Sequence, residues 1–140
     1  MKVRFWFVMA CVFLLAAIIG FAPNSMDILT GEQPNPPLLI HAHAAAMTAW
    51  MVLICTQTAL ISARHQALHQ RIGISLAGLG LLVLGLMVWI VVKDYLEAGI
   101  QPSIALIQAK RLGVFAVGIA LAYHWRRQNP EAHKRLIFLA

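Results

Sequence analysis

The sequence predicts an all-α integral membrane protein, a helical bundle of four transmembrane helices with the start of a fifth. Three observations carry this. Hydrophobic residues make up 61% of the chain and charged residues only 11%, whereas soluble domains carry roughly a quarter charged residues. The mean hydropathy is +0.77. Four apolar stretches, 4–22, 38–62, 72–92 and 104–125, each approach or exceed the roughly 20 residues that a helix needs to cross a hydrocarbon core about 30 Å thick. Residues 1–140 read as one transmembrane domain with no soluble module.

The first span, 4–22, follows Lys2 and Arg4 and has the flank of a secretory signal. Its apolar run exceeds the roughly 7–15 residues of a signal core, and Pro23 fits a cleavage site poorly, so it reads as a retained helix. The next connection, 23–37, holds Pro23, Pro34, Pro36 and Pro37 with Asn24, Asn35 and Gly31. That turn chemistry is expected to stop one helix and start the next.

The second span, 38–62, places His43, Met47, Trp50, Ile54 and Gln57 on one helical face and His41, Ala45, Thr48, Val52, Cys55 and Ala59 on the opposite one. Two polar faces predict a central position in the bundle. The third span, 72–92, carries small-residue rows at Gly73, Ala77 and Gly80 and at Gly78 and Gly85. The fourth, 104–125, carries Ala109, Gly113, Ala116 and Ala120. Such rows let helix backbones approach in a membrane. Lys110 and Arg111 interrupt the fourth span; placed near the interface, their stems snorkel toward water. A fifth helix is expected from about 131, with Glu131 as a first-turn acid that favours the positive end of the helix dipole.

Orientation follows from the basic residues of the short loops, which resist translocation. With the N-terminus in the cytoplasm, Lys2, Arg4, Arg64, Arg71, Arg126, Arg127, Lys134 and Arg135 all lie inside, eight of the eleven Lys and Arg residues. Lys93, Lys110 and Arg111 fall outside beside Asp27, Glu32, Asp94 and Glu97. The net charge of +6 is thus a basic inner face suited to anionic headgroups of the bilayer. A nucleic-acid partner would need a folded basic surface in water, and the sequence provides none. The two cysteines, Cys11 and Cys55, both fall inside spans and read as small apolar residues rather than a disulfide framework.

The histidines are the chemical lead: His41 and His43 at the outer end of the second span, His65, His69, His124 and His133 on the cytoplasmic side. An internal echo joins two of them. Residues 67–72 (ALHQRI) and 131–136 (EAHKRL) share the pattern x-x-His-x-Arg-aliphatic, each where the chain re-enters the membrane. Two duplicated hairpins would give this arrangement.

The segments GFAP (20–23), PPLLIHAHAAAMTAW (36–50), the Gln57 that follows, ALHQRIG (67–73) and NPEAHKRL (129–136) resemble a family of small uncharacterised bacterial inner-membrane proteins. The likeness covers about residues 20–140, and it implies a bacterial cytoplasmic-membrane location and a multi-helix fold, not an activity. Family members continue into further membrane helices after the HKRL-type segment, so the resemblance implies either a C-terminally truncated product, the favoured reading, or last turns that only dock at the surface. Gln70 departs from it, because the family often has a basic residue there.

Three functional readings follow. The first is a non-enzymatic membrane protein, a subunit, assembly factor or lipid-contacting scaffold, working with a membrane-protein partner or as a homo-oligomer. In it Arg71 and Arg135, with the histidines beside them, hold an anionic headgroup or a partner. The second is a heme b electron-transfer protein, for which His41, His43, His69, His124 and His133 are the candidate ligands, since bis-histidine ligation needs inward imidazoles at matched depth. His41 and His43 lie on opposite faces and do not serve one iron together. The third is a small transporter, with His43 and Gln57 marking two ends of a path about 21 Å long. No catalytic residues or metal site are expected, because the acids lie in outer loops apart from any base.

Overall fold

The computed structural model describes residues 2–99 and 101–140. The side chain of Lys2, counted among the basic residues above, lies outside the described residues. The fold class is all-α: α1 Lys2–Thr30, α2 Leu38–Ser62, α3 Gln66–Ala98, α4 Pro102–Trp125 and α5 Pro130–Leu139. Four of these helices are long and apolar enough to cross a membrane, and no strand occurs among the described residues. The chain divides into two compact units, residues 1–76 and 77–140.

In the first unit α1 packs on α2. The 29 residues of α1 span about 43 Å, because the helix does not stop at Pro23 as the turn chemistry predicts; Pro23 lies inside it. Proline removes one ladder bond and crowds the carbonyl four residues back. Membrane helices tolerate such a proline; the carbonyl that loses its donor here is that of Ile19, while Ser25 Oγ donates to the Phe21 carbonyl of its own helix at 2.9 Å. The helix ends instead at Gly31, whose φ of 81° is the left-handed conformation that lacks a steric penalty in glycine. Gln33 then closes the turn, its backbone N–H donating to the Asp27 carbonyl at 3.0 Å and its side-chain amide to the Asp27 carboxylate at 3.1 Å.

Helix α2 matches the predicted 38–62. Ala46, Trp50, Ile54 and Gln57 form its buried face, with Ala10 of α1 also buried. On the opposite face His41, Ala45, Thr48 and Val52 are exposed while Cys55 and Ala59 are half-buried, so that face is open over its first part only. Thr48, Thr56 and Thr58 satisfy their hydroxyls on carbonyls of their own helix, at 2.9 Å each, which removes the cost of carrying them in an apolar setting. The helix ends in a Schellman turn. His65 N–H bonds the Leu60 carbonyl at 2.8 Å and Arg64 N–H bonds that of Ile61 at 3.1 Å, with Arg64 at φ 62° where glycine is usual.

Helix α3 has 33 residues and overruns the predicted 72–92 at both ends. Its first turns carry polar residues that hydropathy alone does not count, and Gly99 at φ 67° stops it, bonding the Tyr95 carbonyl at 3.2 Å. In the second unit α4 packs on α5. Pro102 opens α4, as proline suits the first turn. The face that meets α5 is Phe115, Gly118 and Ala122, all buried. A Cβ on Gly118 would stand 3.2 Å from Ala140 Cβ, so α5 lies close against this glycine. The row predicted for contact, Ala109, Gly113, Ala116 and Ala120, is not the one used: three of its members are exposed and Ala116 is half-buried. Spacing picks out small residues on a helix but not the side from which a neighbour approaches.

Candidate functional site

The turns α2–α3 and α4–α5 hold the two His and Arg elements, and each histidine is the fourth residue of its helix. The returning helix begins without an acidic first turn in α3 and with Glu131 in α5. In α5 the start is fixed by Asn129, whose side-chain oxygen accepts from Ala132 N–H at 3.0 Å, with Pro130 at the first helical position. This N-cap satisfies one of the donors a helix start leaves open. Glu131 also pairs with Lys134 at 2.8 Å.

His133 turns back onto α4. Its Nδ1 lies 2.8 Å from the Ala122 carbonyl, and since a carbonyl only accepts, Nδ1 carries the proton. The ring thereby satisfies one of the last four carbonyls of α4, which have no partner inside the helix. In the neutral ring the lone pair is left on Nε2.

His69 makes the corresponding contact in the first unit with reversed polarity. Gln57 is the buried polar residue among the described residues, 7% exposed, and its amide meets the His69 carbonyl and the Gly73 N–H of α3, each at 3.1 Å, together with His69 Nδ1. Only one orientation of the amide suits these neighbours: nitrogen toward the two His69 acceptors and oxygen toward the Gly73 donor. Nδ1 of His69 therefore accepts, and its proton sits on Nε2. The His69 carbonyl and Gly73 N–H are themselves a helical i, i+4 pair, so one side chain of α2 grips a full rung of α3. The sequence signal for this was Gln57 on the apolar face of α2; its partner twelve residues on was not legible, because the polar group it meets is largely backbone.

Arg71 and Arg135 stand two residues beyond these histidines. Both are exposed, and neither side chain takes part in an ion pair or hydrogen bond among the described residues. At the end of α4, Arg126 stacks 3.7 Å over the Tyr123 ring and donates to the Tyr123 carbonyl at 2.7 Å. His124 is exposed, with its ring centroid 6.3 Å from that of Trp125. Aromatic and basic residues in this combination suit a membrane–water interface.

The remaining candidates lie at the other end of α2. His41 is exposed and its Nε2 donates to Asn35 Oδ1 at 2.8 Å, tying the helix start to the preceding loop. His43 is half-buried, and its Nδ1 is buried with no hydrogen-bond partner. Among the described residues no cluster of three or more His, Cys, Asp or Glu side chains is arranged to hold a metal ion. Both cysteines are free thiols, Cys11 of α1 exposed and Cys55 of α2 half-buried.

No family model, curated protein or solved structure matches the chain.

Proposed function

We propose that the protein is a non-enzymatic, multi-pass membrane scaffold of a bacterial cytoplasmic membrane, with its N-terminus inside, that binds anionic lipid headgroups through the basic residues of its α2–α3 and α4–α5 turns. One observation carries the reading. His69 and His133 are committed to neighbouring helices, while Arg71 and Arg135 beside them are exposed, with no side-chain partner among the described residues. The histidines hold the turns in shape, and the arginines face outward as bidentate donors for a phosphate. Arg64, Arg127 and Lys134 surround them in sequence, and each basic residue near an anionic membrane surface contributes about 1 kcal/mol.

The test is headgroup retention by the whole protein. Protein in nanodiscs with mixed phosphatidylglycerol and phosphatidylcholine is compared by native mass spectrometry with the Arg71→Ala, Arg135→Ala double variant. At about 1 kcal/mol per charge, the double variant is expected to retain phosphatidylglycerol about tenfold or more less well. Equal retention by both proteins would reject the reading.

The heme b reading keeps one supporting feature, the imidazole of His43 with its unpaired Nδ1 on the packed face of α2. Its partner would come from outside that face, since His41 points the other way and bonds Asn35.

A further inference from the structure

Helix α4 carries two adjacent cations inside its apolar length. Lys110 stands about 12 Å from Pro102 and about 22 Å from Trp125 along a helix of about 36 Å, so in a hydrocarbon core about 30 Å thick its backbone lies well below the surface. Lys110 and Arg111 are both exposed, and neither side chain takes part in an ion pair or hydrogen bond among the described residues.

Lys110 belongs to an ordered row. Ile107, Lys110, Val114, Val117 and Leu121 follow one another at spacings of three, four, three and four, the repeat that keeps one seam of a helix against a neighbouring helix. All five are exposed. The row lies on a different side of α4 from Phe115, Gly118 and Ala122, the buried face that meets α5.

Lipid tails suit the apolar members of this row but not the ammonium group. A stem that climbs from that depth to the headgroups is held extended along the helix and gives up rotamer freedom. A carboxylate on a helix packed against the row meets the charge where it stands, and an apolar setting strengthens that attraction. A second copy does not fit. Copies inserted the same way run parallel, so the seam would set Lys110 against Lys110 at one depth, like charges in a low dielectric. We propose that this face of α4 docks a transmembrane helix of a different protein, bearing an Asp or Glu level with Lys110 whose carboxylate lies between Lys110 and Arg111. One polar position in such a seam fixes register, so the charge selects the partner and the apolar members supply the packing. The inference is independent of headgroup binding, which uses the arginines of the α2–α3 and α4–α5 turns.

The experiment uses the full chain, donor-labelled, in phosphatidylcholine liposomes with acceptor-labelled transmembrane peptides of leucine and alanine. One peptide carries a Glu at the depth of Lys110, a second carries it at the opposite depth, and a third has Leu throughout. Energy transfer is expected to show the first peptide binding about tenfold or more tightly than the other two. The Lys110→Met, Arg111→Met protein, whose replacements keep long stems and favour insertion, should bind all three alike. Equal binding of the peptides by wild type, a preference that the double variant keeps, or association of wild-type copies that the Glu peptide does not displace would each overturn the proposal. So would loss of the preference when phosphatidylglycerol is added, which would assign the two cations to headgroups.

Discussion

Gln57 of α2 grips His69 of α3 at two points, the backbone carbonyl and ring Nδ1, and its amide oxygen takes the Gly73 N–H one turn on. A single buried amide thus fixes both the approach of the two helices and the tautomer of an imidazole. Gln57→Leu removes this grip while nearly preserving volume. The His69 carbonyl and Gly73 N–H still have one another as ladder partners, so nothing is left wholly unpaired. The expected loss is about 0.5–1.5 kcal/mol, the range of interhelical hydrogen bonds in membranes. Unfolding in mixed micelles with increasing SDS measures it, and a midpoint identical to wild type would mean that the amide does not hold α3.

Gly118→Leu should undock α5. A Cβ here already meets Ala140 at 3.2 Å, and a longer side chain occupies the space of the Leu136–Ala140 turn. Gly118→Ala is the control: its gain in helix propensity of up to about 1 kcal/mol opposes a contact that a terminal residue relieves by a small shift. Hydrogen exchange across 130–139 distinguishes them, with fast exchange expected for Gly118→Leu and near wild-type protection for Gly118→Ala.

His133→Ala leaves the Ala122 carbonyl without its imidazole donor at the end of α4. The cost is expected near 1 kcal/mol, with faster exchange concentrated in the last turn of α4 and the first of α5. His133→Asn, which keeps a donor on a shorter stem, should recover part of the protection. If His133→Ala left exchange in both turns unchanged, the clamp would not be supporting the hairpin.

The elements differ in how far the sequence revealed them. The bounds of α2 were legible because Pro37 and the Ala63–Arg64 turn coincide with the limits of its apolar run. In α1 and α3 the helix outruns the apolar run. Pro23 was read as a stop although a membrane helix can retain a proline inside it. The packed face of α2 was legible from Trp50, Ile54 and Gln57 at helical spacing. The packed face of α4 was not, because Phe115, Gly118 and Ala122 are no more regular than the small row Ala109, Gly113, Ala116 and Ala120. Only the return of α5 selects between the two. The histidine echo was legible as a pattern, but what each ring does depends on a neighbour eleven or twelve residues away, which spacing does not show.

Arg64 holds a left-handed conformation at the close of α2, φ 62°, where a side chain costs about 1–2 kcal/mol relative to the right-handed region. Glycine escapes that penalty but loses more chain entropy on folding, so Arg64→Gly should stabilise the protein by about 0.5–1 kcal/mol. The same change removes one cation from the turn that also presents Arg71. The two effects separate cleanly. SDS unfolding should shift upward while phosphatidylglycerol retention falls, and Arg64→Asn, which tolerates the left-handed region better than most residues, should fall between wild type and glycine in stability with the same loss of charge. A lower midpoint for Arg64→Gly would show that the arginine side chain contributes more to this turn than its backbone strain costs.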